Sequence, residues 1–164
     1  MFDKYGEFNS ADEINKAAAG QLAQGDTDAI IEIAAENGLD PEDAQDYIDG
    51  VATELCNPLM AAYGKIKVES EQLKPQEIVE DWINYIKMKC TENENMAIAV
   101  RRKGKTVEGC IASLLKWSFS HAYNVDNKIV KASGIRASNV KMGIPGMATA
   151  YRLIDEYYLG GAAK

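Results

Sequence analysis

The amino-acid sequence predicts an all-α protein, a compact bundle of eight or nine short helices forming one body or two subdomains. Three observations predict it. Apolar residues recur at helical spacing through most of the 164 residues. Polar caps, acids or proline precede these stripes, and glycine closes several of them. Strand-type alternation is nearly absent: only Val140 to Ile144 reads as a strand, and it has no evident partner. Composition agrees, since 46% apolar and 26% charged residues are the proportions of a protein that buries a core. No uncharged apolar run approaches the ~20 residues of a membrane span.

The elements follow in order. Ser10-Ala11-Asp12-Glu13 is a capping box, opening a helix with Ile14, Ala17, Ala18 and Leu22 on one face and a stop near Gly25. A second helix starts at Asp26 or Thr27, carries Ile30, Ile31, Ile33 and Ala34, and stops at Asn37-Gly38. Asp40-Pro41-Glu42-Asp43 caps a third, with proline at the first helical position and acids at the positive dipole end; Gly50 closes it. Asn57-Pro58 starts the next, with Leu59, Ala62, Tyr63 and Ile66, unless Pro58 kinks a longer helix begun near Val51.

Lys74-Pro75 opens the strongest stripe of the middle region: Ile78, Val79, Trp82, Ile83, Ile86 and Cys90. A polar stretch from Thr91 to Asn95 separates it from a short segment, Met96 to Lys103. Thr106 caps a helix that is apolar nearly all round, through Cys110, Ile111, Leu114, Leu115, Trp117, Phe119 and Ala122, so the central core element is expected there. Asp126 to Ser133 is a short helix stopped by Gly134. Ile144-Pro145 starts the last, through Tyr151, Ile154 and Tyr158, with Gly160-Gly161 as its stop. The expected core includes Trp82, Ile86, Ile111, Leu114, Leu115 and Ile154, with Met142 and Met147 filling core or interface.

Charge divides the chain. Residues 1–81 carry 19 Asp and Glu against 5 Lys, a balance of −14; residues 82–164 carry 6 acids against 13 Lys and Arg, a balance of +7. Such asymmetry points to a nucleic-acid partner or to two oppositely charged parts that attract each other. The weakest boundary lies near Glu69 to Lys74, which gives an acidic helical subdomain at 1–72. A basic one at 73–164 would hold the main hydrophobic core.

Enzymatic signals are poor. His121 is the only histidine, and Cys56, Cys90 and Cys110 form neither a disulfide framework nor a metal-ligand spacing. Cys110 lies eleven residues before His121, about 16 Å along a helix, beyond hydrogen-bond reach. An EF-hand counted from Asp26 meets Ile31 and Asn37 where Gly and Glu are required. Gly104-Lys105-Thr106 ends like a phosphate loop, but Ala99 replaces its first glycine. No metal, cofactor or catalytic residue is expected. Met1 to Glu7 lacks a basic segment followed by an apolar one, so no signal peptide is expected and the reading is cytoplasmic.

The more specific signal is Arg101-Arg102-Lys103-Gly104-Lys105, four cations in five residues between two predicted helices. Arg offers planar, bidentate recognition of phosphate or carboxylate, and Lys adds point charge. Lys87, Lys89 and Lys116 could extend the patch, depending on packing. The plainer reading is a solvated loop, or one docked on the protein's own acidic half. A helix-turn-helix around Val130, Gly134 and Val140 would bring Lys128, Lys131, Arg136 and Lys141 to DNA. Against it, Gly143 and Pro145 fall inside its recognition helix. The candidate partner or nucleic-acid contacts are thus Arg101, Arg102, Lys103 and Lys105, with Lys116, Arg136 and Lys141.

Lys105-Thr106-Val107-Glu108-Gly109-Cys110-Ile111, the long apolar helix after it and a closing helix ending Glu156-Tyr157-Tyr158-Leu159 resemble the PcfK-like proteins of conjugative elements and phages. The resemblance covers residues 105–160, about a third of the chain. Some members of that group are anti-CRISPR proteins that inhibit Cas9. It implies a helical, non-enzymatic binding protein of a phage or mobile element, acting in the bacterial cytoplasm without a cofactor. Its partners would be a Cas9-type nuclease and that nuclease's guide RNA or DNA, with no membrane. The acidic half would occupy a nucleic-acid channel, or the basic half would grip the nucleic acid held there. A helical DNA-binding or regulatory protein of a mobile element is the alternative.

Overall fold

The expected caps close the expected helices. In the computed structural model, which describes residues 2–160, helix α1 (Ala11–Gln24) starts at Ser10, whose side chain accepts from the Glu13 N–H; Gly25 ends it in the left-handed region. Helix α2 (Thr27–Glu36) is capped by Asp26, α3 (Pro41–Ile48) by Asp40 and α4 (Pro58–Leu73) by Asn57, each through its side chain. Pro58 is therefore a first-turn residue and not a kink.

Helix α5 (Ile78–Glu92) begins later than Lys74-Pro75 suggests. Lys74 ends α4 in the left-handed region, and Glu77 has φ 51° and ψ −125°, so the backbone is non-helical until Ile78. The polar stretch after Cys90 is also shorter than expected. Asn93 alone breaks the chain and caps α6 (Glu94–Arg101), whose last residue is the first arginine of the basic run. Thr106 caps α7 (Val107–Ser120).

The strand near residue 140 has a partner after all. Strand β1 (Tyr123–Asn124) pairs antiparallel with β2 (Lys141–Met142), Tyr123 opposite Met142 and Asn124 opposite Lys141. Between them lies α8 (Asn127–Ala132), capped by Asp126. Ala122 thus falls outside α7, and no helix occupies residues 135–140, where a recognition helix would lie. Helix α9 (Met147–Leu159) closes the described chain, with Gly146 before it and Gly160 after it. Gly161, the second residue of the expected stop, lies outside the described residues. Among the described residues there are nine helices and this one small sheet, so the fold is all-α. No helix among them is long and apolar enough to cross a membrane.

Two apolar cores meet at α4. Ile14, Ala18, Ile30, Ile33, Tyr47 and Leu55 gather with Ala61 in one. Ala62 and Ile66 join Trp82, Ile86, Met96, Leu114 and Ile154 in the other. Where α4 crosses the end of α2 the backbones touch: a Cβ on Gly64 would lie 2.1 Å from the Asn37 carbonyl oxygen. Gly38, at φ 69°, faces Gly64 from the other side. Only glycine fits that crossing.

Helix α7 is less central than its composition suggests. Val107, Cys110 and Leu114 are buried, and Ile111 packs half-buried beside them. Leu115, expected in the core, is instead exposed, as is Phe119 four residues on. Met142 and Met147 are exposed too and fill no core. The reason is geometric: α4, α5 and α9 cover one side of α7, and nothing described covers the side bearing Leu115 and Phe119.

Candidate functional site

Two cations of the basic run 101–105, Arg101 and Lys105, are tied into the protein, which corrects their reading as freely projecting groups. Arg101 is 1% exposed. Its Nη2 donates to Asn37 Oδ1 at 2.5 Å, and its guanidinium lies 5.4 Å from the centre of the Phe2 ring. Its Nε and Nη1 have no hydrogen-bond partner among the described residues. Burial pulls its pKa below the ordinary arginine value, opposed by Cys56, Glu7 and Glu69 nearby. Such a group holds two halves of a fold together and is not available to a partner.

Its neighbours are also engaged. Lys65, fully buried on α4, donates to Glu7 Oε1 at 2.5 Å and to the Arg102 carbonyl at 2.8 Å, with Glu69 Oε1 at 3.8 Å. Glu69 Oε2 accepts from the Val107 N–H at 2.6 Å, while burial raises the Glu69 pKa. The Lys103 N–H donates to Asn9 Oδ1, although the Lys103 and Arg102 side chains are exposed. Lys105 is half-buried; its Nζ donates to the Tyr157 carbonyl at 2.5 Å and lies 4.9 Å from that ring's centre. Arg101 thus docks on Asn37 of the acidic half and Lys105 on the closing helix, while Arg102 and Lys103 face solvent.

The remaining predicted contacts, Lys116, Arg136 and Lys141, are exposed. Residues 115–147, from the last turns of α7 through the small sheet and α8 to the first residue of α9, form an arm. In that arm only Val130 and Pro145 are buried. It adds Lys128 and Lys131 to the other three cations, against one acid, Asp126. Gly143 rests on the last turn of α7, where a Cβ would meet the Ser118 carbonyl oxygen at 2.4 Å, so the arm is anchored at its root.

The arm also exposes apolar side chains that the reading of α7 as a core element had hidden. Phe119 is 81% exposed, and Tyr123, Ile129 and Met147 are each exposed by at least 60%. Leu115, Ile135, Met142 and Ile144 are more than half exposed as well. Eight large apolar side chains of residues 115–147 are thus more than half exposed. His121 stacks on Trp117 with ring centres 4.2 Å apart, its Nδ1 within hydrogen-bond distance of Ser120 Oγ and the Trp117 carbonyl. A sequence signal for this surface does exist: from Gly109 to Ile154 six Lys and Arg meet only one acid.

Reactive groups lie elsewhere. Cys56, Cys90 and Cys110 are buried and free, and burial pushes each thiol up to about 12. A thiol so placed stays protonated at neutral pH and is a poor nucleophile. Among the described residues no cluster of three His, Cys, Asp or Glu could hold a metal ion. At the foot of the arm a cleft of about 380 Å³ opens between α5 and α9, lined by Trp82, Tyr85 and Tyr151 from the bundle and by Pro145 and Met147. Tyr85 and Tyr151 stack in it at 3.7 Å. No protein-family model matches the chain, and no curated protein or solved structure matches it either.

Proposed function

We propose that this chain is a non-enzymatic binding protein of a phage or other mobile element that inhibits a Cas9-type nuclease. The observation that carries the binding role is the arm, an anchored surface with five exposed cations and a concentration of exposed apolar side chains. The resemblance of residues 105–160 to the PcfK-like proteins supplies the class of target. In this reading the arm contacts the nuclease and the nucleic acid it holds, while Arg101 and Lys105 are held by their own chain.

Purified protein added in excess to a Cas9–guide RNA complex should block cleavage of a matched duplex and co-elute with the complex. Undiminished cleavage without co-elution, across several Cas9 orthologues, would sink the nuclease reading. The same cations also suit a DNA-binding regulator of a mobile element. With residues 135–140 non-helical, that protein would hold duplex through phosphates and not by an inserted helix. A gel shift with duplex alone, in the absence of nuclease, is its signature.

A further inference from the structure

We infer that the arm is a single-stranded nucleic-acid surface, in which cations follow phosphates while exposed rings and the cleft at its foot take unstacked bases. The inference rests on the binding reading above, with the arm as its contact surface, and narrows the partner. Charge comes first. Five exposed cations against Asp126 make the arm complementary to a polyanion.

The second observation is the placement of rings among those cations. Lys116 and Phe119 stand three apart on α7, hence side by side on its surface. Tyr123 opens β1 directly beyond the stacked Trp117 and His121. Aromatic faces beside a cationic track are how single strands are held without sequence preference, since every base has a face to stack.

The third is the shortness of the described elements between α7 and α9. Helix α8 has six residues and each strand has two. Such a helix is about 9 Å long, too short to lay a recognition face along a major groove. The cleft, by contrast, suits a flat ring. It has a volume of about 380 Å³, Met88 and Met147 beside the stacked Tyr85–Tyr151 pair, and Asp81 and Asn84 in its lining. An acid and an amide are the groups that read the amino and ring-nitrogen edges of bases.

Fluorescence anisotropy tests this with labelled oligo(dT) and oligo(U) of about 20 nucleotides, a mixed-sequence duplex of equal length, and poly-glutamate as competitor. The single strands should bind at least about tenfold more tightly than the duplex, and poly-glutamate should compete poorly. Replacing Lys128, Lys131, Arg136 and Lys141 together with Ala should flatten the log–log salt dependence by about two to three units. Replacing Phe119 and Tyr123 with Ala should weaken binding by about tenfold or more and leave the salt slope unchanged. All six positions are exposed, and circular dichroism of each variant should match the parent.

No single-strand binding at low salt, equal or tighter binding of duplex, or full affinity in both variants would overturn the inference. Poly-glutamate binding as tight as the oligonucleotides would assign the arm to an acidic protein surface instead. The two readings fail separately. Nuclease inhibition by a protein that binds no oligonucleotide overturns this inference alone, whereas oligonucleotide binding without nuclease inhibition overturns the nuclease alone.

Discussion

Residues 101–105 carry four cations in five positions, and residues 116–141 carry five in 26. The fold consumes half of the denser stretch and leaves Arg102 and Lys103 in solvent. Arg101 is buried against Asn37, and Lys105 is bound to the Tyr157 carbonyl. The sparser stretch stays in solvent, because its apolar residues find no cover and its backbone runs outside the bundle. Charge density along a sequence therefore says little about charge at a surface. What separates the two regions is whether acceptors from distant elements, here Asn37 Oδ1 and the Tyr157 carbonyl, are waiting.

The comparison breaks most visibly if the buried side is disturbed. Lys65→Met should cost about 3–5 kcal/mol in urea unfolding, because Glu7 and buried Glu69 then lose their shared cation. Adding Glu69→Gln should recover part of that loss. A Lys65→Met protein as stable as the parent would mean that the polar cluster does not hold the halves together. Gly64→Ala attacks the same seam by crowding. With its Cβ 2.1 Å from the Asn37 oxygen, α2 and α4 must separate, for an expected loss of about 2–3 kcal/mol in the same assay.

Alkaline pH probes the buried side through its three thiols. Below about pH 9 the thiols are protonated in both folded and unfolded chains and contribute no pH dependence. Above it the unfolded thiols ionise, while the folded ones hold their protons up to about 12. Stability should then fall with rising pH by up to about 1.4 kcal/mol per pH unit for each thiol. Unfolding of the Cys56→Ala, Cys90→Ala, Cys110→Ala variant should show a shallower decline between pH 9 and 11; an equal decline would assign it to other groups.

The smallest effect sharpens the contrast. Phe119→Ala removes a large ring that the bundle barely touches, so the melting temperature should move by an amount equivalent to less than about 0.5 kcal/mol. A loss as large as that of a core phenylalanine would place the ring in a packed environment and return α7 to the central role its composition suggests.

The parts of the fold legible in the sequence are those decided locally. Ser10, Asp26, Asp40, Asn57, Thr106 and Asp126 each accept a backbone N–H within three residues, so short-range pattern sufficed to place six helix starts. The late start of α5 was hidden, because the positive φ of Glu77 has no marker in a residue type that normally avoids it. Arg101 was misread because its partner lies 64 residues away, and the β1–β2 pairing because two-residue strands carry no alternation. The exposed face of α7 was misread for a different reason. Apolar character records a preference for leaving water and does not say whether the fold or a partner provides the cover.

The two cores share a single helix, and adjacent residues of α4, Ala61 and Ala62, belong to different ones. A helix gripped from both sides has no freedom to rotate or slide without emptying a core, so it works as a common spindle. Amide hydrogens in the middle of α4 should then exchange only when the whole molecule opens, and at one rate whichever core an individual residue faces. The arm, held to the bundle mainly at its two ends, should exchange far earlier.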